Sequence, residues 1–240
     1  MKTKIGALII SANEPQLERC LHAVYNQTMP FSNVIHMDGI IPEAKAFNQG
    51  MEASTDEWVM KINGDMILYS NAVEVASFYM EDDPLIFLYS YGLIDTFLNA
   101  PICGCGVFRK SAFEKVPYAN MLANDTYAAK RLQRLGMIKR TPYKDGIMIG
   151  SHCDNPDEFQ VFRRFYSNGV KYGKRFMGRR LRRLLQHTGD PLYDIALKSL
   201  MFGMSERNYP TSHNIDFDKE MFEKFKKEVL SGDNNNSVAE

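Results

Sequence analysis

The sequence lacks any apolar run long enough to cross a bilayer. Its longest candidate, residues 84–94, is short and is broken by Tyr89, Ser90, Tyr91 and Gly92. No export signal is legible either. The apolar stretch 5–10 behind Lys2 and Lys4 is too short for a signal core, and no small-residue cleavage site follows it. Both absences predict a soluble, cytoplasmic protein. Net charge is missing too, with 29 Lys+Arg against 29 Asp+Glu, so overall charge names no polyanionic partner. The 4 cysteines, Cys20, Cys103, Cys105 and Cys153, lack the spacing of a small secreted domain and predict reduced thiols. A zinc site from Cys103, Cys105, His152 and Cys153 lacks the usual two-residue spacer, so small buried thiols are the better reading. Neither Gly-x-Gly-x-x-Gly nor Gly-x-x-x-x-Gly-Lys-Ser/Thr occurs, which removes the usual dinucleotide and P-loop fingerprints.

What is present supports a sizeable core. With 240 residues, 45% hydrophobic and 24% charged, the chain fits one large domain or a domain with an appendage. Residues 2–10 are Ile-rich and strand-like, and Leu17, Cys20, Leu21 and Val24 then recur at helical spacing. Asn13 can cap that helix, with Pro15 in its first turn. A second strand at 33–37 closes on Asp38-Gly39, and a second helix spans 43–53 with Ala44, Phe47 and Met51 inward. A third strand at 57–62 leads into Asn63-Gly64-Asp65. Strand, helix, strand, helix, strand predicts a parallel sheet covered on both faces. Right-handed crossovers then bring residues 11–13, Asp38-Gly39 and residues 63–65 to one rim, where open α/β sheets bind ligands.

Downstream, the spacing predicts a helix from Ser70 to about residue 80 and a strand at 85–91. The small-residue run 101–109 reads as a strand ending in Arg109-Lys110. Asn124-Asp125 opens a helix bearing Tyr127, Ala128, Leu132 and Leu135, and Gly136 ends it. A strand falls within 139–149, ahead of Gly150-Ser151-His152. Beyond residue 156 the strand signals stop, and helices follow around 159–165, 181–185, 191–200 and 217–230. The expected division is therefore 1–153, a helical basic region 154–230, and a disordered tail 231–240. From 161 to 186 there is no acidic residue, while Arg163, Arg164, Lys171, Lys174, Arg175, Arg179, Arg180, Arg182 and Arg183 are interleaved with aromatics. A solvated helical face is the bland reading, but a one-signed, aromatic-rich excess also fits peripheral membrane contact or a phosphate-bearing acceptor. Nucleic acid is disfavoured because no recognised binding module accompanies the patch.

The first 150 residues or so resemble the family 2-like glycosyltransferases of the GT-A fold. Leu8-Ile9-Ile10-Ser11-Ala12-Asn13-Glu14 is similar to the family's first strand and polar turn. Leu17-Glu18-Arg19-Cys20-Leu21 and Val24-Tyr25-Asn26-Gln27-Thr28 resemble its first helix, and Ala46-Phe47-Asn48-Gln49-Gly50 its "ARN.G" segment. Residues 58–68 resemble the strand bearing its Asp-x-Asp signature, residues 103–110 its Gly-rich strand, and residues 124–136 its "ED…R…G" helix. Two departures stand out: Asn63 replaces the first Asp of Asp-x-Asp, and Asn124 replaces the Glu of the acidic pair.

The resemblance implies a mixed Rossmann-like sheet with flanking helices and a nucleotide-sugar donor whose departing diphosphate needs a divalent cation. Asp65 would hold Mn²⁺ or Mg²⁺, and His152 would complete the site and favour Mn²⁺. Asp125, ionised at neutral pH, would be the base of an inverting transfer. Asp38 would touch the nucleotide base or ribose, with weaker roles for Asn13, Asn48, Asn63 and Arg109. The family's habits point to a UDP-sugar, a glycan or lipid-linked acceptor, and the assembly of a surface polysaccharide or another glycoconjugate. Each residue also has an ordinary structural role to weigh. Asp65 and Asp38 suit turns, Asp125 and Asn13 suit helix caps, Asn48 is a mid-helix polar residue, and His152 and Arg109 are loop or strand-end residues. Two other readings stand beside the enzyme: an inactive relative that binds or scaffolds, and a basic-surface protein for anionic lipid or nucleic acid.

Overall fold

A computed structural model of the chain describes residues 3–121, 123–152, 156–173, 176–186, 190–205 and 215–230. The chain divides into two compact units, Met1–Asn155 and Pro156–Glu240. The expected tail 231–240 lies outside the described residues, as do Cys153, Lys174 and Arg175.

In the first unit, strands β1 (Gly6–Ser11), β2 (Val34–Asp38) and β3 (Trp58–Asn63) alternate with helices α1 (Leu17–Tyr25) and α2 (Glu43–Ala53). β1 pairs in parallel with both β2 and β3. Successive side chains of a strand point to opposite faces, and β1 is buried on both. Ala7 and Ile9 pack with Cys20 and Val24 of α1 and with Met60 and Ile62, while Leu8 and Ile10 pack with Ala44, Phe47 and Met51 of α2 and with Val59. Helix α2 lies very close to the sheet. A Cβ placed on Gly50 would come within 2.1 Å of Leu8 Cδ1, so any larger residue there would force the buried Leu8 side chain to move.

The rest of this unit turns a parallel sheet into a mixed one. β4 (Met66–Leu68) and α3 (Ala72–Phe78) follow the Asn-Gly-Asp turn; then come β5 (Ile86–Asp95), β6 (Ala100–Arg109), α4 (Lys110–Lys115), α5 (Asn124–Arg134), β7 (Ile138–Arg140) and β8 (Met148–His152). The described strands form one 8-stranded sheet in the order β2-β1-β3-β6-β5-β8-β4, with β7 added beside β5. β6 runs antiparallel to β3, and β4 antiparallel to β8. Phe47 stacks on Tyr118 at 3.8 Å and meets Phe108 and Phe113 edge-on, which locks α2 over β6 and α4. Gly136, at φ +81°, follows α5 as a left-handed terminator.

Three sequence expectations change. Asn13 does not cap α1, because it takes the left-handed conformation at φ +66° and the helix starts after Gln16. The strand expected at 85–91 continues to Asp95. The segment 139–149 holds two short strands separated by a 3₁₀ turn, Pro142–Asp145, rather than one.

The second unit is helical: α6 (Glu158–Tyr172), α7 (Phe176–Leu185), α8 (Pro191–Ser205) and α9 (Ile215–Phe225), which runs into a π turn at Lys226–Leu230. Asp157 and Gln160 form a reciprocal capping box at the start of α6. Helices α6 and α8 touch backbone to backbone. A Cβ on Gly169 would sit 2.2 Å from the Leu200 carbonyl oxygen, and one on Gly203 2.2 Å from that of Tyr166. Phe162, Tyr166, Phe222 and Phe225 fill the interior around them. Arg163 pairs with the fully buried Asp218 at 3.0 Å, so one cation of the basic segment serves this interior. No helix among the described residues is long and apolar enough to cross a membrane.

Candidate active site

The ends of β1, β2 and β3 are level. Ser11 is in register with Asp38, and Ile10 with Asn63. Backbone bonds continue past the strands: Gly39 N donates to Ser11 O at 2.9 Å and Gly64 N to Ile10 O at 3.0 Å. Both bonds need the chain to turn just there. Gly39 does so at φ +65°, and a Cβ on Gly64 would lie 2.8 Å from Glu14 Oε2 and 3.1 Å from Ser11 Cβ. The residues 11–13, Asp38-Gly39 and residues 63–65 thus share one rim, as the alternating order implied.

Side chains knit that rim. The buried Ser11 hydroxyl donates to Asp38 Oδ1 at 2.5 Å and lies 2.8 Å from His36 Nε2. This fixes one oxygen of Asp38 while the residue stays exposed to solvent. Glu14 Oε2 accepts the Ala12 N–H at 2.6 Å, holding the turn in which Asn13 sits exposed. Under the Asn-Gly-Asp turn, Cys20 Sγ donates to Asn63 O at 3.6 Å. Burial, followed by the charges of Asp65 and Glu14, pushes that thiol up to about 12.

Asp65 leaves the turn toward β8. Its Oδ2 lies 3.1 Å from Nε2 of His152, the last residue of that strand. His152 Nδ1 lies 3.2 Å from Oδ2 of Asp95, which is fully buried at the end of β5. The parallel register pairs Asp95 directly with His152, and the His152 carbonyl accepts both the N–H and the hydroxyl of Thr96. Strand pairing therefore brings Asp65 and His152 together, although they are far apart in the chain.

Asp125 occupies the first turn of α5 and is exposed; the buried Asn124 accepts its N–H at 2.6 Å. Its charge reaches Lys61, which faces the same side of β3 as Asn63, two residues earlier. Lys61 is largely buried and bonds Glu43 Oε1 at 2.5 Å. Burial alone would lower the ammonium's pKa, but the charge and hydrogen bond of Glu43, aided by Asp125, outweigh it and raise the value.

Two predicted residues go elsewhere. Arg109 is in register with Trp58, the residue of β3 farthest from Asn63, about 16 Å away along the strand. There it stacks over the indole at 4.5 Å and donates to the Asp83 carbonyl at 2.8 Å. Asn48 uses both halves of its amide on Tyr118, donating to its carbonyl at 3.0 Å and accepting its N–H at 2.9 Å. The place of Ser11 on the rim was expected, but its bond to Asp38 was not foreseen, nor were Asp95 and the Lys61–Glu43 pair. Asp95 carried a signal, since it ends an apolar strand just as Asp38 does.

The donor set fits a divalent cation. Asn63 Oδ1 is buried without a hydrogen-bond partner, two residues from Asp65. A buried amide oxygen, a carboxylate and an imidazole suit Mn²⁺ better than Mg²⁺. No cage of three or more His, Cys, Asp or Glu side chains exists among the described residues. A cation at the Asp65–His152 pair would thus take most of its ligands from phosphate and water. A separate cleft of about 510 Å³ runs along α1, lined by Glu18, Arg19, His22, Asn26 and Ser70 among others. It shares no lining residue with the rim.

The sequence matches no family model and no curated protein. Solved structures do resemble it. The mannosyltransferase PcManGT from Pyrobaculum calidifontis, in complex with GDP-Man and Mn²⁺, is 11% identical over 96% of this chain and 81% of its own, at TM-score 0.54. TarS from S. aureus (residues 1–349, in complex with UDP) is 9% identical over 95% of this chain and 75% of its own, at TM-score 0.49. A glycosyltransferase involved in glycosylation of the major capsid of PBCV-1 is 14% identical over 64% and 96%, at TM-score 0.41. Identities this low speak to architecture alone, and the first similarity spans nearly the whole chain. With its mixed sheet and flanking helices, the chain has a GT-A-like α/β fold.

Proposed function

We propose that the protein is a metal-dependent, inverting glycosyltransferase that moves a sugar from a nucleotide-sugar donor to a glycan or glycoconjugate acceptor. The observation that carries this reading is the Asp65–His152 pair at 3.1 Å, beside the rim formed by Ser11, Asp38 and Asn63. Asp65 and His152 hold the cation, with Asn63 close by on the same turn. When bound, the cation neutralises charge on the departing diphosphate. Asp38, oriented by Ser11, accepts hydrogen bonds from the nucleoside. Asp125, exposed on a fixed helix turn, takes the acceptor hydroxyl's proton as the new glycosidic bond forms. Asn48 and Arg109 are engaged in packing and have no part in this scheme. The direct test is a thermal-shift screen over UDP- and GDP-sugars with and without Mn²⁺. Stabilisation by at least one donor, larger with Mn²⁺, is expected; no shift with any donor contradicts the reading.

The basic helical segment 161–186 supports a second element of the proposal, peripheral contact with an anionic membrane that presents a lipid-linked acceptor. Arg179, Arg182 and Arg183 of α7 are exposed, as is Leu184 between them and the buried Leu185. Each cation near an anionic surface contributes about 1 kcal/mol. Removing the charges of Arg179, Arg182 and Arg183 should therefore abolish pelleting with phosphatidylserine-containing vesicles, at least tenfold in partition. Equal pelleting of both proteins, or retention on heparin without any vesicle binding, sinks this part.

A further inference from the structure

We infer that Asp95 is a positioning residue that sets the tautomer and aim of His152 for the cation. The inference rests on the metal reading above and deepens it. Asp95 is fully buried, and burying a carboxylate is costly unless its oxygens are satisfied. Its two oxygens have separate duties: Oδ1 accepts the Leu98 N–H at 2.7 Å, closing the turn after β5, and Oδ2 faces His152 Nδ1 at 3.2 Å.

A neutral imidazole carries one proton. Without metal, the 3.1 Å contact of Nε2 with Asp65 Oδ2 needs a proton on Nε2; a cation bound there would replace that proton, and Nδ1–H donating to Asp95 would keep the Nε2 lone pair directed to the cation. A hydrogen-bonded carboxylate behind a metal-ligating histidine fixes ring orientation and raises ligand basicity. The register explains how the arrangement is held. Asp95 and His152 are paired on parallel strands, and Thr96 bonds the His152 carbonyl, so backbone pairing sets the two side chains on neighbouring positions of the sheet.

Asp95→Asn separates the two duties. The amide can still accept from Leu98, but its NH₂ group cannot accept from Nδ1–H, and the ring proton is driven to Nε2. Two measurements on the full-length protein test this. Binding of Mn²⁺ alone, followed by electron paramagnetic resonance, should weaken about 10–100-fold in Asp95→Asn. The same substitution in a His152→Ala background should produce no additional loss. Ring ¹⁵N spectra without metal should show a protonated Nδ1 at His152 in the wild type and its loss in Asp95→Asn. Unchanged Mn²⁺ affinity, an equal further loss in the His152→Ala background, or identical ring spectra overturns the inference. Wild-type protein that binds no Mn²⁺ but shows the tautomer change instead removes the metal reading and leaves Asp95's positioning of the ring standing.

Discussion

Asp125→Asn should lower the proposed sugar transfer by about 10²–10⁴-fold, the usual contribution of a positioned general base. Nucleotide binding stays close to wild type, because Asp125 belongs to the acceptor side of the scheme. The substitution is nearly isosteric at an exposed position and removes only a favourable first-turn charge, so folding stability should fall by no more than about 1 kcal/mol. The separation of effects is what makes the result informative. A loss in turnover at constant donor affinity reports an interaction made only in the transition state. Loss of donor affinity and turnover together would instead assign Asp125 to the donor site. The Lys61–Glu43 pair, whose ammonium feels the charge of Asp125, should stay intact in this variant.

Asp65→Ala should have the broader effect. It removes a proposed metal ligand and leaves His152 without the carboxylate at its Nε2. If the cation supplies about 4 kcal/mol to the departing diphosphate, the loss in turnover is about 10³-fold. In titrations, Mn²⁺-dependent binding of UDP should disappear, whereas metal-independent contacts through Asp38 remain. Asp65→Asn, which preserves the turn, should be nearly as impaired, because an amide is a poor replacement for a charged ligand. Equal Mn²⁺-dependent UDP binding by wild type and Asp65→Ala would remove Asp65 from the metal site.

The parts of the molecule that were legible in the sequence are those set by local rules. Helical spacing from Leu17 to Val24 and from Ala44 to Met51, interleaved with apolar strands, sufficed to place Ser11, Asp38 and Asn63 on one rim. What stayed hidden depends on distant partners. Asn48 read as a binding residue until Tyr118, 70 residues on, took both halves of its amide. Arg109 looked like a phosphate contact at a strand end, but β6 is antiparallel to β3 and carries it to the far edge. No local pattern announces that reversal. Asp95 was missed because Gly92 and a bulge between Tyr91 and Gly92 interrupt the strand pattern before its real end. β4 is only 3 residues long, too short for any period to register.

The Asn63 and Asn124 replacements acquire a physical reading from this geometry. Asn63 contributes a buried neutral oxygen at the turn, and a second carboxylate there would add negative charge next to Asp65 and Glu14. Asn124 uses its side-chain oxygen on the Asp125 N–H, which steadies the proposed base. Both changes are compatible with the proposed turnover, and release of nucleoside diphosphate separates that proposal from a scaffold of the same fold.

The most direct measurement is release of nucleoside diphosphate from the donor identified by thermal shift, followed with and without Mn²⁺ on wild type and Asp65→Ala. The account predicts slow release by wild type that requires Mn²⁺ and is absent in Asp65→Ala. Release that is independent of Mn²⁺, or equal in the two proteins, would contradict it.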